Sequence, residues 1–235
     1  MNTGEPNPGL PRVEFALRST GVSDLTHSPL RSGVHHRGYL PHVKREGASY
    51  FVTFRLADSL PKSVLLEFER QHAEALRNLP AEQTTDVSRD LRRKIERYLD
   101  QGAGECYLRR PEIADMVAEA LRHFDGEEYQ LENWVVMPNH VHLVLWPMPN
   151  FTLSEILKSR KRHTARQANL LLGRTGQTFW QPESYDHWIR NDEEKARIVN
   201  YIRMNPVKAG LCAKPEDWKW SSAWAGWGRK ASQKG

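Results

Sequence analysis

The run WVVMPNHVHLVLWP, residues 134–147, limits the fold more than any other part of the chain. Two stretches rich in β-branched and aromatic residues, Tyr129 to Met137 and His140 to Trp146, flank Pro138-Asn139. Such residues suit a pleated strand, and a Pro-Asn pair between two apolar runs is turn chemistry, so a tight hairpin is expected. Its second strand is apolar on both faces around Val141 to Trp146. A strand with no polar side belongs in the middle of a sheet, where both faces are covered.

The surrounding segments supply the cover. YFVTFRL, Tyr50 to Leu56, reads as another buried strand, bounded by Gly47 and Pro61. After Pro61, apolar Val64, Leu65, Phe68, Ala75, Leu76 and Leu79 recur at helical spacing. A charged helix is expected from Asp86 to Leu99, and Pro111 opens another whose stripe is Ile113, Val117, Ala120, Leu121 and Phe124. A long helix follows from Leu153 to about Leu172, stopped by Gly173. After the aromatic stretch FWQPESYDHWI, Asp192 is placed to cap a helix over Glu193 to about Met204, with Pro206 ending it near Asn205. Interspersed helices and strands with one hairpin imply an α+β fold, an antiparallel sheet with helices packed on one face. The segment PEDWKWSSAWAGWG holds four of the eight Trp and is expected to pack back on the sheet.

With 235 residues, one domain is expected over 39–228. Residues 1–38, with four Pro, five Gly and no apolar period, read as a flexible tail, and 229–235 as a disordered one. Two cysteines, Cys106 and Cys212, exclude a disulfide framework and any CxxC site. No apolar run approaches the roughly 18 residues of a membrane span, and no signal peptide is visible. A cytoplasmic location is the expectation. Lys plus Arg exceed Asp plus Glu by 34 − 29 = 5, a modest lean toward an anionic partner.

Three clusters can carry chemistry. His140 and His142 alternate on one strand and share a face about 7 Å apart. Two imidazoles on a buried strand are costly unless they are hydrogen-bonded or share a divalent ion. The next same-face positions, Val144 and Trp146, offer no third ligand, and no HExxH occurs; both weigh against a closed zinc site. Tyr201 and Asn205, at i and i+4, share a helix face; a tyrosine packed in the core is the competing reading. Lys158, Arg162 and Arg166 form a basic stripe at i, i+4, i+8, with Arg160 and Lys161 between them and no acid in the run. Such a stripe suits a phosphate backbone, or simply solvates a helix.

The segments WVVMPNHVHLVLWP, the basic helix, FWQPESYDHWIRN and YIRMNPVKAGL, in that order, resemble the REP-associated tyrosine transposases, a branch of the single-tyrosine HUH (IS200-like) transposases. The likeness runs from about Gly38 to Trp224, and the middle, Glu67 to Leu108, is longer than in compact relatives. It implies a ferredoxin-like domain and metal-dependent cleavage and strand transfer of single-stranded or hairpin DNA at REP-type elements. It implies Tyr201 as nucleophile, forming a 5′-phosphotyrosine, with His140, His142 and Asn205 holding Mg²⁺ or Mn²⁺. Lys158, Arg160, Lys161, Arg162, Arg166, Arg190 and Lys208 are the candidate DNA contacts, and Tyr185 is the rival nucleophile. One nucleophilic tyrosine per chain leaves a monomer or a homodimer open. Two other classes compete: a catalytically silent DNA-binding protein of the same fold, and a metal-dependent hydrolase that would not need Tyr201.

Overall fold

The computed structural model describes residues 33–37, 40–44, 47–78 and 94–227. Its centre is a four-stranded antiparallel sheet built from β3 (Tyr50–Arg55), β4 (Tyr129–Val136), β5 (His140–Pro147) and β6 (Tyr185–Trp188). The order is β4-β5-β3-β6, so the hairpin strand β5 is central, as its two apolar faces require. The two-residue turn expected at Pro138-Asn139 closes with Met137 N–H donating to His140 O at 2.8 Å. Between β3 and β4 run α1 (Lys62–Asn78), helical residues 94–100 (α2) and α3 (Pro111–His123); α4 (Leu153–Leu171) links β5 to β6. This β-α-β-β-α-β connectivity is the ferredoxin-like arrangement.

Strand alternation sorts the core into two layers. Val52, Phe54, Val141, Leu143 and Leu145 face α3 and α4 and pack with Ile113, Val117, Ile156 and Leu157. Phe51, Val135 and Val144 face the other way and pack with Ile202 of α5 (Asp192–Lys208). Thus α3 and α4 form the expected one-sided helical layer, and α5 adds cover to the opposite face. His140 and His142 are in phase with Val144, so they look toward α5.

Two boundaries differ from the sequence reading. Residues 33–37, inside the segment expected to be flexible, form β1 (Gly33–Arg37), paired antiparallel with β2 (Leu40–Lys44). Residues 1–32 and 38, the rest of that tail, 86–93, the start of the charged helix, and 229–235, the C-terminal tail, lie outside the described residues. In α5 the cap is Asn191, whose side chain accepts from Glu194 N, and Pro206 lies inside the helix. A proline forfeits its own N–H bond and crowds the carbonyl four residues back, yet the last turn is closed beyond it. Gly210, at φ +68°, donates to Val207 O, and Leu211 N donates to Pro206 O. That is a Schellman stop, which needs a residue at ease in the left-handed region. Asn205 therefore sits within a helix held on both sides rather than at a frayed end. The long helix α4 stops where expected, and it opens on a capping box, Thr152 with Glu155.

The tryptophan-rich segment packs back on the sheet as expected. It covers the open edge of β4, where Val136 N donates to Trp220 O and Ser222 N to Trp134 O. Trp218 Nε1 donates to Val136 O, and Trp220 Nε1 to Asp115 Oδ1 on α3. Among the described residues no helix is long and apolar enough to cross a membrane.

Candidate active site

The two histidines of β5 are brought into direct contact. Their Nε2 atoms are 3.0 Å apart, and both rings are buried. Each outer nitrogen has its own partner. Asn139 Nδ2 donates to Ala103 O at 2.9 Å, which orients that amide. Its Oδ1 therefore accepts from His140 Nδ1 at 2.7 Å. With Nδ1 carrying the hydrogen, His140 Nε2 presents a lone pair. Burial pushes the His140 imidazole down to about 3, so it is neutral at physiological pH. His142 Nδ1 lies 2.7 Å from Thr53 Oγ1, directly opposite on β3.

From the other side α5 brings Tyr201 onto the pair. The Tyr201 hydroxyl is 3.3 Å from His142 Nε2. Phe51 wedges the arrangement, stacked on His142 with centroids 5.6 Å apart and edge-on to Tyr201 at 6.1 Å. Asn205 is buried one turn later, and its Oδ1 finds no hydrogen-bond donor among the described residues. Lys208, exposed in the last turn of α5, holds its ammonium 5.7 Å from the centre of the Tyr201 ring. The rival Tyr185 is on the same sheet face, opposite Thr53 in the ladder, with its ring edge-on to Phe51.

These residues fit a divalent ion. Two ligands at right angles, each about 2.1 Å from a metal, are separated by about 3.0 Å, the spacing of the two Nε2 atoms. A buried amide oxygen without a donor is the kind of atom that a cation satisfies, and second partners such as Asn139 and Thr53 are what orient ligating imidazoles.

The candidate DNA contacts do not share one surface. Lys158, Arg162 and Arg166 are exposed, but α4 lies on the sheet face opposite the histidines and its stripe points outward. Arg160 is a correction to the sequence reading. Its spacing from Ile156 and Thr164 turns it inward, 8% exposed, with its guanidinium 4.1 Å above the Phe124 ring and 3.6 Å from Glu128. Lys161 is likewise engaged, donating to Gln181 O, Pro182 O and Ser184 Oγ. Arg190 is exposed beside Trp188.

Sequence reasoning missed Asn139, Thr53 and Arg55. Asn139 was visible as the residue next to His140, though only as a turn former. Arg55 was visible as the one charge in an otherwise apolar strand.

A family model described as transposase IS200-like matches residues 108–205, a span that contains both histidines, Tyr201 and Asn205. The chain is 30% identical over 119 residues to the REP-associated tyrosine transposase of Escherichia coli (strain K12), covering 48% of this chain and 69% of that protein. A solved structure of a REP-associated tyrosine transposase bound to a REP hairpin matches with a TM-score of 0.43 and 20% identity, covering 80% of this chain and 81% of the other.

Proposed function

This chain belongs to the REP-associated tyrosine transposases, and from that premise we propose that it cleaves and rejoins single-stranded DNA at REP-type hairpins through a covalent link to Tyr201. The observation that carries the proposal is the Tyr201 hydroxyl 3.3 Å from His142 Nε2, itself 3.0 Å from His140 Nε2. His140, His142 and Asn205 are the residues to hold the divalent ion, Mg²⁺ or Mn²⁺. When bound it supplies positive charge to a phosphodiester, since two neutral imidazoles and an amide leave its charge undiminished.

The protein's own part is placement. An unperturbed tyrosine hydroxyl has a pKa near 10 and is a weak nucleophile at neutral pH, so proximity must compensate. Phe51 and His142 hold the Tyr201 ring at one angle over the sheet. In the reaction Tyr201 Oη bonds to phosphorus and the bond from phosphorus to the 3′ oxygen breaks. The phenol gives up one proton and the departing 3′ oxygen gains one. The new phosphotyrosine is still a diester, so a second 3′-hydroxyl reverses the step without an external energy source.

The test is denaturing electrophoresis of the full chain incubated with Mn²⁺ and a single-stranded hairpin oligonucleotide taken from the flanks of its own gene. A protein–DNA adduct that Tyr201→Phe abolishes, with hairpin binding retained, is the expected result. An adduct that persists in Tyr201→Phe and is lost in Tyr185→Phe moves the nucleophile to β6. Binding with no adduct returns the chain to a silent DNA binder.

A further inference from the structure

Arg55 ends β3 directly opposite His140 on β5, so the two side chains leave the same face of the sheet. Its side chain is inside the protein, 6% exposed. Nη1 donates to Ser59 Oγ at 3.2 Å, and that hydroxyl passes its own hydrogen to Leu56 O at 2.7 Å. Nη2 is buried with no acceptor among the described residues. A second cation lies in the neighbourhood: Lys161 of α4 reaches the segment before β6, where it donates to Gln181 O and Pro182 O, and Arg55 repels its ammonium.

A buried guanidinium is expensive to keep when its hydrogen-bonding capacity is not used. Folding alone gives no reason for it. A leucine or methionine would fill the volume at the end of β3 without stranding a charge. What Arg55 supplies at this place is a permanently charged fork in register with His140, one arm braced by Ser59 and the other buried without an acceptor among the described residues. A phosphodiester has two anionic non-bridging oxygens, and attack at phosphorus concentrates further charge on them. A preorganised donor in a water-poor site is worth most at that moment, and the planar guanidinium suits phosphate better than a lysine does.

We propose that Arg55 is a substrate-contacting residue of the cleavage centre, its free Nη2 donating to a non-bridging oxygen of the phosphodiester held beside His140 and His142. The inference deepens the function proposed above and rests on it only for the identity of the anion.

Two measurements on the full chain keep the inferences separate. Thermal unfolding is followed in phosphate-free buffer and with added inorganic phosphate, for the wild type, Arg55→Met, Arg55→Lys and the control Arg70→Met, an exposed arginine of α1 already paired with Glu67 and Glu74. Phosphate should raise the melting temperature of the wild type and the control. Arg55→Met should melt no lower than the wild type without phosphate, and should lose the response to it. Arg55→Lys should keep part of the response. Adduct formation on the hairpin oligonucleotide should then slow by about 10²-fold in Arg55→Met, with Mn²⁺ affinity unchanged. A wild type that ignores phosphate overturns the proposal. So does an Arg55→Met variant that is destabilised or unfolded without phosphate, or one that keeps the full response, since Arg55 would then be structural. A wild type that responds to phosphate through Arg55 but forms no adduct sinks the cleavage reading and leaves Arg55 as an anion-binding residue.

Discussion

Thr53 and His142 face each other across the β3–β5 ladder, and the threonine hydroxyl lies 2.7 Å from the imidazole Nδ1. The hydroxyl can donate or accept, so it can support either tautomer of His142. With an ion on Nε2 the hydrogen must sit on Nδ1, and Thr53 Oγ1 is then its acceptor. Thr53→Val keeps the shape and removes the partner. It should weaken Mn²⁺ binding about 10- to 100-fold, read by calorimetry or by the loss of the free-ion electron-spin-resonance signal. Thr53→Ser should restore binding. Equal affinity in all three proteins would mean that packing against Phe51 alone orients His142.

Asn205 makes the opposite kind of prediction, a gain and a loss together. Its buried Oδ1 lacks a donor among the described residues, a defect that costs about 1–3 kcal/mol when nothing compensates. Asn205→Leu should therefore melt at the same temperature as the metal-free wild type or higher. The same variant should bind Mn²⁺ at least about 10-fold more weakly. A lower melting temperature with unchanged Mn²⁺ affinity would make Asn205 a structural amide.

The stripe of Lys158, Arg162 and Arg166 lies across the sheet from Tyr201, so its role separates from chemistry. Replacing all three by Gln should flatten the salt dependence of hairpin binding by about 0.7 log units of slope for each phosphate that the variant no longer neutralises. At saturating DNA the rate of adduct formation should not change. An unchanged slope would show that the stripe only solvates α4. A slower reaction at saturation would show that DNA wraps from one face to the other while it reacts. Arg160→Met belongs to neither outcome and should affect stability alone, because its guanidinium is spent on Phe124 and Glu128.

Lys161 predicts a pH effect of known sign. Burial, and then repulsion from Arg55, lower its ammonium from the ordinary 10.5 to about 8, with Glu183 acting in the other direction. Between about pH 8 and 10.5 the unfolded chain holds more protons at this position than the folded one. Unfolding free energy therefore rises with pH in that window. The contribution is fully present above 10.5 and is lost as pH falls through 8. Melting curves of wild type and Lys161→Met, compared from about pH 7 to 10.5, should diverge in favour of the wild type above pH 8. Parallel curves would show that burial does not desolvate the ammonium.

Much of the fold was legible because its signals are local. The β4–β5 hairpin follows from two apolar runs around Pro138-Asn139, and α4 from its periodicity and Gly173. The end of α5 was misplaced for an equally local reason. Pro206 is a strong stop signal by itself, yet the helix runs past it and is closed by the bonds of Gly210 and Leu211. Asn139 and Thr53 left no mark as site residues, since an asparagine in a turn and a threonine in a strand are ordinary there.

By itself the sequence determined which side chains share a face. The two-residue period of β5 puts His140 with His142, and the helical period of α5 puts Tyr201 with Asn205. Only the tertiary structure decided that those two faces meet, that Arg55 lies across from His140, and that Arg160 turns inward while Lys158, Arg162 and Arg166 look away from the reaction. The physical reason is range. Backbone periodicity is set by sterics within a few residues, whereas Tyr201 and His142 are 59 positions apart. Their meeting depends on which face of the sheet is left for α5 once α3 and α4 have covered the other.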